Sequence, residues 1–426
     1  MTRQFWVFIH RYVGLMMALF LIVAGLTGSI LAFYDEIDDW LNPISSRSHT
    51  RVAVQDRSML DAFTLCERAL KVVPQAWISS IDLLPPKPGD AYTVYMDPRI
   101  DPATGQPYEL DFWALKLNPY TGAEVEGSRY YKLIEQYGYF PLTRKTILPF
   151  IYALHYQLAL GETGELLFSI IAVAWTLDCF VGFYLTLPKR RSKPLTATGY
   201  GLANAKQPSI WQRWKPAWQI KRNASAFRLY FDLHRAFGLW TWAMLFIFAW
   251  SSVMFLVPEF YEPVMKAFFE TTQEQSQLPE PTSPRFVPIA VFRKAHIIGK
   301  RLMAEQAKLL GFSVHQESSL TYNDATGLFD YTVTSDREAS DSGQTAVTFN
   351  ADTGALEKLD PPATGELSGV TVQYWLTVLH TARAWGIPYK LFVCCMGLGV
   401  AILSVTGIYI WYKKHRVARI KRKVLI

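Results

Sequence analysis

Four apolar stretches, each long enough to cross a lipid bilayer as a helix, leave this chain few folds to choose from. Residues 13–33, 239–257 and 391–412 contain no Asp, Glu, Lys or Arg, and residues 166–187 contain only Asp178. About 20 apolar residues span the hydrocarbon core. In lipid a backbone N–H must bond within its own segment or barrel, so stretches of this kind become helices. The first of them is too long for the apolar core of a signal peptide and no A-x-A cleavage site follows it. Its opening hexamer also recurs in mid-chain, where no signal can act, so it is read as a span.

Charge then sets the expected topology. Between Lys189 and Arg228 there are ten Lys or Arg and no acid, and the tail from Lys413 to Lys423 adds seven more with none. The long segments 35–145 and 259–370 carry 16 acids each against 12 and 9 bases, a net of −11 (21 bases minus 32 acids). The positive-inside rule places the amino terminus, the 189–228 loop and the tail in the cytoplasm, with both long segments outside. The overall charge of +7 is therefore a topology signal beside a lipid bilayer, and no nucleic-acid partner is expected. The four cysteines give no disulfide framework and no C-x-x-C metal spacing: Cys66 alone lies outside, while Cys179, Cys394 and Cys395 lie in spans.

The outer segments read as mixed αβ. A helical pattern near 59–72 precedes strand-like runs at 77–84, 91–96 and 112–117, punctuated by Pro-, Gly- and Asp-rich turns. The second segment repeats the scheme with a helix over 289–310 and strands near 313–322, 330–334 and 345–349. From Ile147 an apolar stretch carrying His155 is interrupted by Gly161-Glu162-Thr163-Gly164. From Ile147 to Leu187 a straight helix would run about 60 Å, roughly twice the core, so a surface helix separate from the span is expected. The 189–228 loop, rich in Trp, contains no G-x-G-x-x-G, so any flavin or nicotinamide belongs to another protein.

The chain repeats itself. His10-Arg11-Tyr12-Val13-Gly14-Leu15 returns as His234-Arg235-Ala236-Phe237-Gly238-Leu239, a shift of 224. Leu154-His155 maps on Leu379-His380, Gly161 on Gly386 and Gly182 on Gly407 with a shift of 225. The Asn-x-x-Thr-Gly turns at Asn118 and Asn350 match more loosely. The expected fold is a membrane α-helical protein of four transmembrane helices in two tandem halves, each with an outer α+β domain and a surface helix. Its divisions are 1–34 (first span), 35–146 (outer domain), 147–188 (surface helix and span), 189–228 (cytoplasmic loop), 229–258 (third span), 259–370 (second outer domain), 371–412 (surface helix and span) and 413–426 (basic tail).

Of eight histidines only four have a counterpart: His10 with His234 and His155 with His380. An isolated interfacial histidine is ordinarily a satisfied polar group, but two matched pairs at two depths predict ligands. Two imidazoles on opposite sides of a flat cofactor hold a membrane b-type haem, and with both axial positions filled it carries electrons. Two b-type haems are therefore expected, with Arg11 and Arg235 placed for the propionates of one and Arg383, one turn after His380, for the other. Zinc fits less well, since neither pair has a Cys or carboxylate to complete a four-ligand set. Asp178, the one acid inside a span, is a candidate proton relay or partner of a cation. Trp175, Trp242 and Trp250 are candidates to pack on the cofactors.

These features resemble the PepSY-associated transmembrane family and, within it, the FoxB-type ferrisiderophore reductases. The resemblance rests on the hexamer at His10, its copy at His234, the turns at Asn118 and Asn350 and the segments around His155 and His380, and covers nearly the whole chain. It implies a bacterial inner-membrane protein whose PepSY-like outer domains are periplasmic. Electrons from a cytoplasmic or quinol donor would pass outward to reduce an Fe(III)-siderophore and release Fe(II). Two other readings stand beside it: a non-enzymatic PepSY binding or assembly module, and the haem b subunit of a quinol-linked oxidoreductase. The charge pattern itself is testable with reporter fusions. A fluorescent protein fused after residue 426 is expected to fluoresce, and alkaline phosphatase fused within 259–370 to be active; the opposite pattern contradicts this topology.

Overall fold

The computed structural model describes residues 2–42, 50–131, 140–189, 208–221, 223–270, 285–338, 345–362 and 368–424. Of the expected basic loop, residues 190–207 and 222 lie outside the described part, as does His49. The first half comprises α1 (Arg3–Leu31), α2 (Tyr34–Leu41), α3 (Ala62–Val72), β1 (Ala76–Trp77), β2 (Ser80–Asp82), β3 (Tyr92–Tyr95), β4 (Asp97–Pro98), β5 (Phe112–Leu117), β6 (Tyr130–Tyr131), α4 (Ile147–Gln157) and α5 (Glu162–Thr186). A short α6 (Ile210–Trp214) with a 3-10 turn, Lys215–Trp218, follows. The second half comprises α7 (Ala226–Trp240), α8 (Trp242–Leu256), α9 (Pro258–Phe268), α10 (Ile289–Leu310), β7 (Val314–Asn323), β8 (Leu328–Ser335), β9 (Thr345–Asn350), β10 (Leu356–Asp360), α11 (Ser368–His380) and α12 (Ile387–Val424).

Among the described residues α1, α5 and the stretch 387–417 of α12 are long and apolar enough to cross a membrane. The third expected span departs from a straight helix. It is the pair α7 and α8, bent by 69°, and makes a fourth crossing if taken as one broken span. At the break the Thr241 hydroxyl donates to the Phe237 carbonyl at 2.8 Å, the same oxygen that its N–H reaches at 3.0 Å.

Small residues bring α1 against α12. A Cβ on Gly25 would lie 2.5 Å from the Gly397 carbonyl oxygen, and one on Gly397 2.5 Å from the Gly25 oxygen, so only glycine permits this approach. Ser29 Oγ, also buried there, donates to Gly25 O at 2.8 Å and Cys394 O at 2.9 Å. The break expected at Gly161 is present, and its counterpart Gly386 shares the backbone state: φ is 62° and 65°, where glycine meets no Cβ penalty. Each turns the chain from a surface helix into a long apolar one.

The two outer segments are one packed body. Strand β2 of the first half pairs antiparallel with β7 of the second (Ser80 with Thr321, Ile81 with Leu320, Asp82 with Ser319), giving a five-stranded sheet in the order β10-β9-β8-β7-β2. A three-stranded sheet β3-β5-β6 stands beside it. Alternation along β8 turns Phe329, Tyr331 and Val333 inward, where they meet Phe292 of α10 and, through the shared core, Phe63 and Leu65 of α3 and Val94 and Leu115 of the smaller sheet. The strands expected at 112–117 and 345–349 and the helix at 289–310 lie where the periodicity puts them. The run expected at 77–84 is split between β1 and β2, and β10 adds an exposed edge.

The glycine contact yields a paired expectation. Gly25→Leu should lower stability by about 1–3 kcal/mol through overpacking. Gly14→Ala, whose Cβ meets nothing within 4 Å, should leave stability unchanged or raise it by up to about 1 kcal/mol through helix propensity. Thermal melts of both variants in detergent check this, and equal melting temperatures would contradict the contact.

Candidate functional site

Each matched histidine pair comes together. The rings of His10 on α1 and His234 on α7 have centroids 6.2 Å apart at an interplanar angle of 59°. Those of His155 on α4 and His380 on α11 are also 6.2 Å apart, at 75°. Two imidazoles on opposite sides of one metal, each bonded at about 2 Å, hold their ring centres roughly 6 Å apart. Both pairs thus have the spacing of an axial ligand set. They lie at different levels, because His10 and Thr27, the latter a contact of His155, are separated by 17 positions of α1, about 26 Å at ~1.5 Å per residue.

The hydrogen bonds all fall on the same ring nitrogen, Nδ1. Thr27 donates its hydroxyl proton to Val23 O at 2.6 Å, so its oxygen accepts from His155 Nδ1–H at 3.0 Å. Ser251 likewise donates to Ile247 O at 2.6 Å and accepts from His380 Nδ1–H at 2.6 Å. His234 Nδ1–H donates to the Leu403 carbonyl at 3.0 Å, beside Thr406 Oγ1 at 3.1 Å, whose own proton goes to Ile402 O. His10 Nδ1–H donates to both Asp178 oxygens, at 2.9 and 3.0 Å. In all four rings Nδ1 has an acceptor beside it, which favours the Nδ1–H tautomer and leaves Nε2 for a ligand, the arrangement by which an outer hydrogen bond orients a metal-ligating histidine.

Around the His10 pair lies a cavity of about 470 Å³, within the size range of cofactor sites. Its walls include Trp175, Trp242, Leu21 and Leu245. Its cations are Arg11 and Arg235, as expected from the sequence, and also Arg3 and Lys414. Arg235 is steadied by the fully buried Asp232, which also pairs with Arg228, each at 2.9 Å. Its Nε is buried with no hydrogen-bond partner, a donor left for an oxygen ligand. Gly182 and Gly407 lie beneath the two rings, where an added Cβ would come within 3.5 Å of His10 and 3.4 Å of His234.

The second pair is more tightly enclosed. A Cβ on Gly28 would meet the His155 ring at 2.9 Å, and Phe248 and Phe255 present their edges to His380 at 5.5 and 5.4 Å. Arg383 is exposed, following Ala382 in a left-handed turn. Trp250 packs on Tyr261 with ring centres 5.2 Å apart, and does not line the cavity that holds Trp175 and Trp242. Among the described residues no group of three or more His, Cys, Asp or Glu that could hold a metal ion is present.

Sequence reading missed Thr27, Ser251 and the Leu403 carbonyl. The first two carried a signal, since Thr27 and Ser251 are related by the same shift of 224 that relates His10 to His234. A backbone carbonyl carries none.

As a whole, the sequence matches the family model described as the PepSY-associated TM region over residues 7–414. No curated protein matches it. The hydroxyl contacts make one expectation quantitative. Thr27→Val leaves the His155 N–H without its acceptor and should cost about 1–3 kcal/mol of stability. Thr27→Ser should restore it; identical thermal melts for the two variants contradict the role given to Thr27.

Proposed function

The chain belongs to the family of the PepSY-associated TM region, and on that premise we propose that it is a membrane electron-transfer protein with two b-type haems that reduces an Fe(III)-siderophore. The observation that carries this reading is the pair of histidine pairs, each 6.2 Å apart with every Nδ1 proton committed elsewhere. Bound there, the haems would supply one-electron oxidation and reduction.

The chain's own residues divide the remaining work. Nε2 of His10 and His234 would hold one iron, and Nε2 of His155 and His380 the other. Arg11 and Arg235, with Arg3 and Lys414 at the same cavity, would receive carboxylates, since guanidinium groups bind them in a fork. Arg383, three residues beyond the end of α11 at His380 and exposed, would take that part at the second pair. Trp175 and Trp242 pack the apolar wall, and Asp178 holds His10 in register.

In this reading α7 and α8 form one broken span, giving four crossings in two tandem halves, with the sheet-bearing body in the periplasm of a bacterial inner membrane. The donor is a cytoplasmic protein or a quinol, and the acceptor is the ferric complex on the outer side. Siderophore oxygens suit hard Fe(III) better than Fe(II), so a single electron loosens the metal.

An absorption spectrum of the purified protein is expected to show a Soret band and, on dithionite reduction, a sharp α band. His10→Ala and His155→Ala should each remove one haem of two. Anaerobic addition of a ferric hydroxamate to the reduced protein should reoxidise it. Absence of haem would remove the proposal entirely, while haem without reoxidation would restrict it to electron transfer to a protein partner.

A further inference from the structure

The four histidines are held alike except at one point. His155 and His380 donate to hydroxyl oxygens and His234 to a main-chain carbonyl, all neutral acceptors. His10 alone donates to a carboxylate, and Asp178 meets it with both oxygens at 2.9 and 3.0 Å while only 8% exposed. The position related to Asp178 in the second half is Leu403, whose carbonyl serves His234. One backbone carbonyl and one side-chain carboxylate thus fill the same place in the two halves.

A carboxylate behind an imidazole pulls on the Nδ1 proton and enriches the ring, which makes Nε2 a stronger donor to a metal. A stronger donor favours the higher oxidation state of the metal. We propose that Asp178 is a positioning residue that lowers the reduction potential of the His10–His234 site. Electrons entering at this end are thereby biased toward the His155–His380 pair, next to the sheet-bearing body. The inference rests on haem occupying both pairs. Arg3, Arg11, Arg235 and Lys414 at the same cavity act in the opposite sense. They are unchanged by a substitution at residue 178, so a comparison within this site isolates the carboxylate.

The test is a redox titration of the full-length protein, followed at the haem α band, in a His155→Ala background that keeps only the site at His10. Asp178→Asn retains an acceptor for Nδ1–H but removes the charge, and the midpoint is expected to shift upward. Asp178→Glu is expected to remain closer to the unsubstituted protein. In a His10→Ala background, Asp178→Asn should leave the remaining haem's midpoint unmoved. An unchanged or lowered midpoint in the first background overturns the proposal, as does an equal upward shift in both backgrounds. A protein without any Soret band instead overturns the haem reading.

Should Asp178→Asn fail to retain haem, redox-difference infrared spectra of the unsubstituted protein labelled with ¹³C-aspartate decide the matter. A label-sensitive carboxylate band is expected on reduction of the His10 site, and its absence overturns the proposal.

Discussion

The commitment of four Nδ1 protons is the constraint on which the rest of the membrane region depends. A buried imidazole with an unsatisfied N–H loses about 1–3 kcal/mol, and an apolar helix offers few acceptors, because its carbonyls are engaged by the turn that follows. Thr27, Ser251 and Thr406 solve this by giving their own proton to a carbonyl four positions earlier, which leaves the hydroxyl oxygen able only to accept. The acceptors beside Nδ1 therefore favour one tautomer for these rings. Polar residues in three apolar helices are explained by that single requirement.

Pairing between the two halves of the chain supplies the second condition. Every pair joins one histidine from each half, so neither half has a complete site. What brings the halves together is visible at two places. Gly25 and Gly397 let α1 and α12 approach at backbone distance, and β2 adds itself to the sheet of the other half through β7. Deviations from symmetry are therefore informative. The bend at Thr241, where the first half has the straight helix α1, and the replacement of Asp178 by Leu403 mark where the two copies have separate duties.

Much of this was legible before any coordinates. Apolar length and the run of basic residues locate the helices, period-two alternation locates β5 and β9, and self-comparison selects four histidines of eight. The 69° bend was not legible, because the stretch 226–256 contains no proline to announce a break. The joining of two outer segments into one core was not legible either. Strand pairing between residues 241 apart in sequence, as for Ser80 and Thr321, is set by tertiary packing and leaves no local periodicity. Arg3 and Lys414 escaped notice because they lie at opposite ends of the chain and meet only through the packing of α1 against α12.

Helix α1 acts as the ruler of the molecule. It carries His10 near its start and Thr27 and Gly28 near its end, touching one pair with its own imidazole and the other through the acceptor and the space it provides for His155. The distance between the two sites is therefore fixed by a count of residues in one continuous helix rather than by loops. Its partner α12 runs beside it, offering the Leu403 carbonyl to the first site and Gly397 as the contact between them. In the proposed electron-transfer role a rigid spacing between two points matters more than any particular surface. That rigidity follows from glycine-mediated contact between α1 and α12.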